Sequence, residues 1–382
     1  MDTQIQIIKE SAPHIRRKDS LNRMMLDVVI SLMPVVIYSL IISPVAAIRN
    51  LLISIVTMEL CEFCFVLIMN RIPYDGTKHT LKEQFKHQIK FYRLSNFMVP
   101  LVSAIIYALI MPTSMEEGYG YLIYFALITG AIFGLSIGKL VFGGTGNNIF
   151  NPAAVGMVFA KLCFGSHYLY YYPSKVIDGS VVSAGATSLG SNNVDLANGI
   201  FNADGYSLLD LFLGKCPGLM GEICKVAILI GLVYLIVRHT IDWRITASYV
   251  GVLFLYMIIA GLIMYSSKKI NPFYFATYQL LSGGVIFGAV YMATDPVTSP
   301  ITKPGRIMYG VILATCTTFI RLFASLPEGV VYSILIGNML TSVIDYPKWS
   351  TNKFNLKNIL IPVGIFVFFT LIMVWALCVE VF

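Results

Sequence analysis

Charged side chains are scarce in this sequence. Asp, Glu, Lys and Arg make up 12% of the 382 residues, whereas a soluble domain carries about a quarter. Apolar residues make up 57%, and they gather into stretches of roughly 20 residues, the length that crosses about 30 Å of hydrocarbon. The scarcity of charge excludes an ordinary globular enzyme, and the long apolar stretches predict a polytopic, all-α integral membrane protein.

The sequence also lacks the cysteine pattern of a disulfide scaffold. Its seven cysteines are an odd number, and nearly all lie in or beside apolar stretches, so we expect no disulfide framework. Cys61 and Cys64 have CxxC spacing beside Glu59 and Glu62, a pattern that would allow a metal or redox site. Buried cysteine acts more often as a small hydrophobic residue, and we predict no metal site.

Apolar stretches predict eleven membrane spans, and the first 23 residues lack the order of a cleaved signal peptide. The spans are expected at about 24–43, 48–69, 94–112, 121–142, 149–165, 219–238, 245–266, 273–293, 306–324, 329–345 and 358–380. The predicted organisation is an N-terminal segment (1–23), a first five-helix repeat (24–165), an outer loop (166–218), a second five-helix repeat (219–346) and an extra C-terminal helix (347–382).

The distribution of Lys and Arg predicts the orientation in the membrane. Cationic residues concentrate before the first span and in the 71–93 loop, and such segments stay in the cytoplasm. The N-terminus is therefore expected to be cytoplasmic, and the long connection 166–207 is expected on the outer face. Because topology explains the net charge of +7, we predict no nucleic-acid partner.

A weak internal repeat divides the chain. Span 3 ends in Met111-Pro112-Thr113-Ser114, and a glycine-rich run precedes a short span about 31 residues later. Span 8 ends in Thr294-Asp295-Pro296-Val297-Thr298-Ser299, and Pro327-Glu328-Gly329 precedes another short span about 32 residues later. Five spans in each half would make the repeats inverted, and paired broken segments line the central pathway in transporters built this way.

Two motifs carry the candidate chemistry. The run GGTGNNIFNPA (143–153) places three glycines and three asparagines at the start of a half-length helix; it forms either a tight turn for close packing or the wall of a polar cavity. The run ATDPVTSP (293–300) leaves Asp295 among hydroxyls at a helix end, where its carboxylate either steers a cation or accepts from neighbouring backbone amides.

Several motifs in order resemble the RnfD/NqrB family, over residues 12–346. They are Pro13-His14-Ile15-Arg16, Met25-Leu26-Asp27-Val28, GGTGNNIFNPA, Phe212-Leu213-Gly214, Gly221-Glu222, Trp243-Arg244-Ile245, ATDPVTSP and Pro327-Glu328-Gly329-Val330. The resemblance, which is stronger to the RnfD branch, implies urea-transporter-like inverted repeats and a membrane flavoprotein subunit of an Rnf-type ferredoxin:NAD oxidoreductase. The alternatives are the NqrB-type subunit of a sodium-pumping NADH:quinone reductase and a redox-silent channel or transporter of the same fold.

The resemblance also implies a covalent cofactor. The family carries FMN on a threonine through a phosphoester bond, and Thr187 in the run Ser183 to Leu189 matches the acceptor. Gly185 and Ala186 beside it would leave the backbone open to a flavin transferase. Two departures weaken the match, since Ala184 stands where Ser or Thr is usual and Val181 where the family has Asp. A second, noncovalent flavin such as riboflavin is compatible with the resemblance.

The remaining expectations concern partners and the ion pathway. The resemblance implies other Rnf-type membrane and peripheral subunits, among them an FMN-bearing subunit at the outer face, in a bacterial cell (inner) membrane with Na⁺ or H⁺ as coupling ion. No catalytic residue is assigned. We expect the ion pathway to include Asn147, Asn151, Asp295 and Glu328, with the broken segments around 147–152 and 327–329 facing each other near the middle of the membrane.

Overall fold

The computed structural model describes residues 21–72, 80–115, 118–169, 207–216, 218–268, 271–324, 329–346 and 352–381. Helices dominate these residues: α1 Leu21–Ile42, α2 Pro44–Met69, α3 Leu81–Gln88, α4 Leu94–Ile110, α5 Leu122–Gly138, α6 Pro152–Phe164, α7 Leu208–Leu213, α8 Lys225–Val237, α9 Trp243–Lys268, α10 Pro272–Leu281, α11 Val285–Phe287, α12 Lys303–Phe323, α13 Val330–Ile344 and α14 Leu356–Val381. Two short strands, β1 Ser114–Met115 and β2 Tyr168–Leu169, pair antiparallel.

Long apolar helices confirm a polytopic, all-α membrane protein. Six helices in the described residues are long and apolar enough to cross a membrane, and the number rises to eight when two bent helix pairs each count as one span. The bent pairs are α3 with α4, at 71°, and α10 with α11, at 62°. Each of the eleven predicted spans contains a helix, but α6, α8 and α13 have only 13 to 15 residues, too few to cross alone.

The sixth predicted span begins later than expected. The sequence predicted a span from residue 219, whereas α8 begins at Lys225. The Gly221 amide donates to the Leu109 carbonyl of α4 at 2.9 Å, and a Cβ at Gly221 would lie 2.8 Å from the Leu109 Cβ. The segment before α8 is therefore held against α4 at Gly221.

The helix contacts follow the same order in both halves of the chain. In the first half, α2 packs against α4 and α5, and α5 packs against α6. In the second, α9 packs against α10 and α12, and α12 packs against α13. The pairs α1 with α8 and α6 with α13 join the halves, while α14 packs outside them against α9 and α12. This order supports two five-helix repeats; their inverted orientation stays a prediction.

Small residues fix the position of α6. A Cβ at Gly134 of α5 would lie 2.5 Å from the Pro152 carbonyl oxygen, and one at Gly138 would lie 2.9 Å from the Pro152 Cα. Only glycine permits so close an approach of backbones, as small residues commonly do at membrane helix interfaces. The start of α6 is thereby held against α5, inside the protein.

Candidate functional site

A glycine turn delivers the chain into α6. Gly143, Gly144 and Gly146 have φ angles of 106°, 85° and 93°, which side chains with a Cβ rarely adopt. Asn151 then caps the helix, since its side-chain oxygen accepts from two amides of the first turn at 3.0 and 3.3 Å. The glycines of this motif therefore meet a backbone requirement, and the asparagine satisfies amides that the helix start leaves free.

The same asparagine joins the two motifs. The Asn151 side-chain nitrogen donates to the Met292 carbonyl at 3.3 Å. Met292 ends a π-helical segment, Gly288–Met292, of the type frequently found at functional sites. The glycine run 143–153 and the segment that leads to Asp295 therefore meet, although they lie more than a hundred residues apart in the chain.

The first broken segment also reaches α13. The Asn338 side-chain oxygen, oriented toward α6, accepts from the Asn151 backbone amide at 3.0 Å. The Asn338 side-chain nitrogen then donates to the Tyr309 hydroxyl at 2.8 Å. Asn338 lies about two turns into α13, so the segment before α6 meets the middle of that helix. Glu328, the predicted pathway residue of the second broken segment, lies outside the described residues.

A small cavity lies between the glycine run 143–153 and the segment that leads to Asp295. Its volume is about 60 Å³, room for roughly four waters at about 15 Å³ each and far below the 300–1,000 Å³ typical of organic ligands. Apolar side chains make up most of its lining, and the polar lining residues are Ser103, Lys139, Thr145, Asn148, Asn151, Thr240, Tyr291, Thr294 and Asp295. Two of the predicted pathway residues, Asn151 and Asp295, thus line one space. Asn147 is exposed and outside this lining, which Asn148 joins instead.

The oxygen atoms around the cavity suit a hard cation or water. The half-buried Asp295 carboxylate accepts from the Val297 amide and the Thr298 hydroxyl, both at 3.2 Å. The buried Thr145 hydroxyl oxygen has no hydrogen-bond partner among the described residues. Carboxylate, amide and hydroxyl oxygens are ligands of hard cations. Asp295 therefore fits both interpretations from its sequence motif. Its carboxylate accepts from a neighbouring backbone amide, and the residue also lines a cavity in which a cation could bind.

A buried ion pair stands beside the cavity, and the sequence analysis missed it. The Lys139 ammonium lies 3.0 Å from the Glu62 carboxylate, with both side chains at most 1% exposed. The Asn96 side-chain amide donates to the other Glu62 oxygen at 3.2 Å. A carboxylate within an apolar span was the available signal, since such groups pair with one another inside membranes.

The two cysteines of the CxxC run differ in exposure. Cys64 is exposed and Cys61 half-buried, with the Cys61 sulfur 3.5 Å from the Ser136 hydroxyl. No group of three or more His, Cys, Asp or Glu side chains suited to a metal occurs in the part of the chain that the structure describes.

Two cationic side chains, Lys225 and Arg321, lie at another break in a helix, near the C-terminal end of α12. The α10–α11 pair breaks at residues 282–284, where Gly283 has a φ of 65°. Lys225 donates to the carbonyls of Glu222 and Gly283, and Arg321 donates to those of Gln279 and Ser282. The two cations thus take up carbonyls at the break, as a non-helical backbone at membrane depth requires.

The predicted flavin-attachment residues Thr187, Gly185 and Ala186 lie outside the described residues. The structure describes the two ends of their segment. One end is β2, in which Leu169 pairs with Ser114 and Tyr168 with Met115, and the other is Ser207, which caps α7.

Subunits of known membrane complexes are similar in sequence to this chain. The model of the NQR2, RnfD, RnfE family matches residues 8–352. The RnfD-type subunit of a Na⁺-translocating ferredoxin:NAD⁺ oxidoreductase complex from Acetobacterium woodii is 27% identical over 344 residues, covering 90% of this chain and 93% of the relative. The NqrB-type subunit of a Na⁺-translocating NADH-quinone reductase from Chromohalobacter salexigens is 34% identical over 254 residues, covering 64% and 57%.

A second NqrB-type relative, from Azotobacter vinelandii, is 32% identical over 253 residues and shows similar coverage, 64% of this chain and 58% of the relative. The chain therefore spans somewhat over half the length of these reductase subunits. The family match, in contrast, extends from the N-terminal segment past α13. The chain belongs to the NQR2, RnfD, RnfE family.

Proposed function

We propose that this chain is the membrane flavoprotein subunit of an Rnf-type, ion-translocating ferredoxin:NAD oxidoreductase. Electrons would pass through FMN bound covalently to Thr187, coupled to movement of Na⁺ or H⁺. The RnfD-type relative supports the Rnf assignment, because its alignment covers nine tenths of both chains. The NqrB-type relatives align over less than two thirds of their own length.

The observation that carries the ion-translocating part is the cavity between the glycine run 143–153 and the segment 290–297 that contains Asp295. Asn151 and Asp295 line it together with other amide and hydroxyl side chains, and its volume suits a cation or a few waters. In our proposal Asp295 attracts the cation from the cytoplasmic side, as carboxylates inside membranes commonly do. Asn151 joins the glycine run to the π-helical segment beside the path. FMN, when bound, supplies the electron chemistry.

The proposed setting is a multi-subunit complex in a bacterial cell membrane, with the N-terminus in the cytoplasm and Thr187 outside. The expected partners are the other Rnf-type membrane and peripheral subunits, including an FMN-bearing subunit at the outer face, and a flavin transferase for maturation. A second, noncovalent flavin such as riboflavin would have to bind elsewhere than the 60 Å³ cavity, which is too small for it.

Two alternatives keep the same fold. The NqrB-type subunit of a sodium-pumping NADH:quinone reductase would carry the same FMN ester but assemble with different partners. A redox-silent channel or transporter would keep the cavity and lack the flavin. Identification of the co-purifying subunits distinguishes the first, and the mass of the chain distinguishes the second.

The experiment that tests the proposal is an intact mass spectrum of the purified chain. Ester formation adds the mass of one FMN less one water, which the unmodified chain cannot show. Thr187→Ala should remove this increment and the flavin fluorescence of the denatured band, while Ser183→Ala should retain both. An unmodified wild-type chain, purified from a host with the flavin transferase, would contradict the proposal, and an increment that persists in Thr187→Ala would contradict the assigned residue.

A further inference from the structure

Helix α3 lies across the end of a membrane-spanning helix. It continues as a 3-10 turn, Ile89–Phe91, and then meets α4 at a bend of 71°. Spanning helices tilt on average about 20° from the bilayer normal, so a helix bent this far from α4 runs close to the membrane plane. The bend is anchored at Tyr92, whose hydroxyl donates to Glu59 at 3.3 Å.

The side chains of α3 and its 3-10 turn divide into three faces. Leu81, Phe85 and Ile89 repeat every four residues and are 86%, 46% and 43% exposed. Residues four apart lie on one helix face, so these three form an exposed apolar stripe. The next positions along the chain, Lys82, Lys86 and Lys90, form a basic stripe beside it and are also exposed.

The third face contacts the protein. Gln88 is buried, and the His87 ring nitrogen Nδ1 lies 3.3 Å from the Asn70 carbonyl oxygen at the end of α2. Because the helix already contacts the rest of the chain on this side, the apolar and basic stripes point away from it. The short helix is held by a capping box in which Glu83 accepts from the Thr80 amide at 3.0 Å.

We propose that α3 is a binding surface for anionic phospholipid. Its apolar stripe would enter the boundary between headgroups and acyl chains, and its three lysines would contact lipid phosphates. A basic stripe beside an apolar one is the arrangement of helices that lie in the membrane interface. Between residues 80 and 93 four side chains are cationic (Lys82, Lys86, Lys90 and Arg93) and one is anionic (Glu83), so this segment complements a negatively charged leaflet.

Native mass spectrometry of the full chain in detergent tests the proposal. The chain is titrated with phosphatidylglycerol or with phosphatidylcholine, and bound lipids are counted. A lysine near an anionic surface is worth about fivefold in binding, so Lys82→Gln/Lys86→Gln/Lys90→Gln should lose most of the preference for phosphatidylglycerol. The matched control Lys215→Gln/Lys303→Gln/Lys353→Gln removes the same charge from other positions and should keep the preference.

Spin labels in nanodiscs that contain phosphatidylglycerol supply a second readout. A label at position 85 should collide more with dissolved oxygen than with an aqueous nickel complex, and a label at position 86 should show the reverse. Equal access of both labels to the aqueous complex would overturn the proposal, as would an unchanged lipid preference in the α3 triple variant or an equal loss in the control. If the α3 triple variant lost a co-purifying subunit but kept its lipid preference, α3 would be a protein interface and the proposal would be wrong.

Discussion

The side-chain nitrogen of Asn151 donates to the Met292 carbonyl at 3.3 Å, while the oxygen of the same amide caps α6. One side chain therefore ties the glycine turn of the first half to the π-helical segment of the second. This link holds the glycine run 143–153 against the segment that leads to Asp295, beside the cavity.

Removal of this amide should loosen both elements. Asn151→Leu should lower the thermal stability of the purified chain by about 1–3 kcal/mol, since it loses a helix cap and a buried hydrogen bond, and should impair assembly and ion transport. Asn151→Ser keeps a side-chain oxygen that can cap α6 and loses the donor to Met292. Thermal unfolding in detergent would rank wild type above Asn151→Ser and Asn151→Ser above Asn151→Leu; equal stability of all three would show that the link is unimportant.

The buried Lys139–Glu62 pair should be costly to break on one side. Glu62→Gln leaves the Lys139 ammonium buried without its carboxylate, and removal of one member of a buried pair costs about 3–5 kcal/mol. In Glu62→Gln/Lys139→Gln neither charge remains, and two amides can still bond to each other and to Asn96. We expect the double variant to unfold at a higher temperature than either single variant. A double variant as unstable as the sum of the singles would refute this coupling.

The stability of the protein should depend on pH through Asp242, which lies in the connection between α8 and α9. Burial alone would raise the pKa of Asp242, but the Arg244 amide and the Arg306 guanidinium outweigh burial and hold the pKa below its usual value. Arg244 also contacts the carboxylate at 2.9 Å. A lowered folded-state pKa stabilises the protein above the unfolded pKa of about 3.9, and this stability is lost as the pH falls through the folded value.

The comparison of wild type with Asp242→Asn measures this contribution. At pH 7 the variant should be less stable by about 1 kcal/mol, because the carboxylate is partly exposed to solvent. The difference should shrink as the pH is lowered below about 4. Thermal unfolding at pH 7, 4 and 3 checks the trend, and a difference that grows toward acid would reverse the assigned sign.

Hydropathy and glycine or proline positions were sufficient to predict a helix in each of the eleven spans, because hydrocarbon imposes length and composition on each span. The same breaks indicated Asn151 and Asp295 as pathway residues, and the structure brings both to one cavity. Lys139 and Glu62 could not be paired in this way, since they lie 77 positions apart in the chain and only tertiary packing selects the partner. Helix α3 was missed because its few turns fall within a segment that its charge marked as a loop.

The orientation of the chain can be tested directly. Single-cysteine variants at positions 86 and 187, made in a background without native cysteines, should react from opposite sides of the membrane, because the Lys/Arg distribution predicts a cytoplasmic 71–93 loop and an outer position 187. Labelling of sealed vesicles with a membrane-impermeant reagent reads this out. Reaction of position 187 from the cytoplasmic side alone would overturn the orientation and the compartment of flavin attachment.

Coupled ion transport tests the central claim, that Asp295 serves the ion pathway and not the flavin. Asp295→Asn removes the carboxylate charge at the cavity while it keeps an oxygen that can accept from Val297. Hydrogen bonds and contacts of charged groups contribute about 1.5–3 kcal/mol, so apparent affinity for the ion should fall by about tenfold or more. Asp210→Asn, a change on α7 away from the cavity, is the matched control.

The decisive measurement is ion uptake into proteoliposomes that contain the assembled complex, driven by its own electron transfer and recorded over a range of ion concentrations. The account predicts that Asp295→Asn slows uptake and coupled turnover, with an unchanged FMN mass on Thr187, whereas Asp210→Asn behaves as wild type. Uptake by Asp295→Asn at the wild-type rate across all ion concentrations would contradict the assignment of this cavity to the ion path.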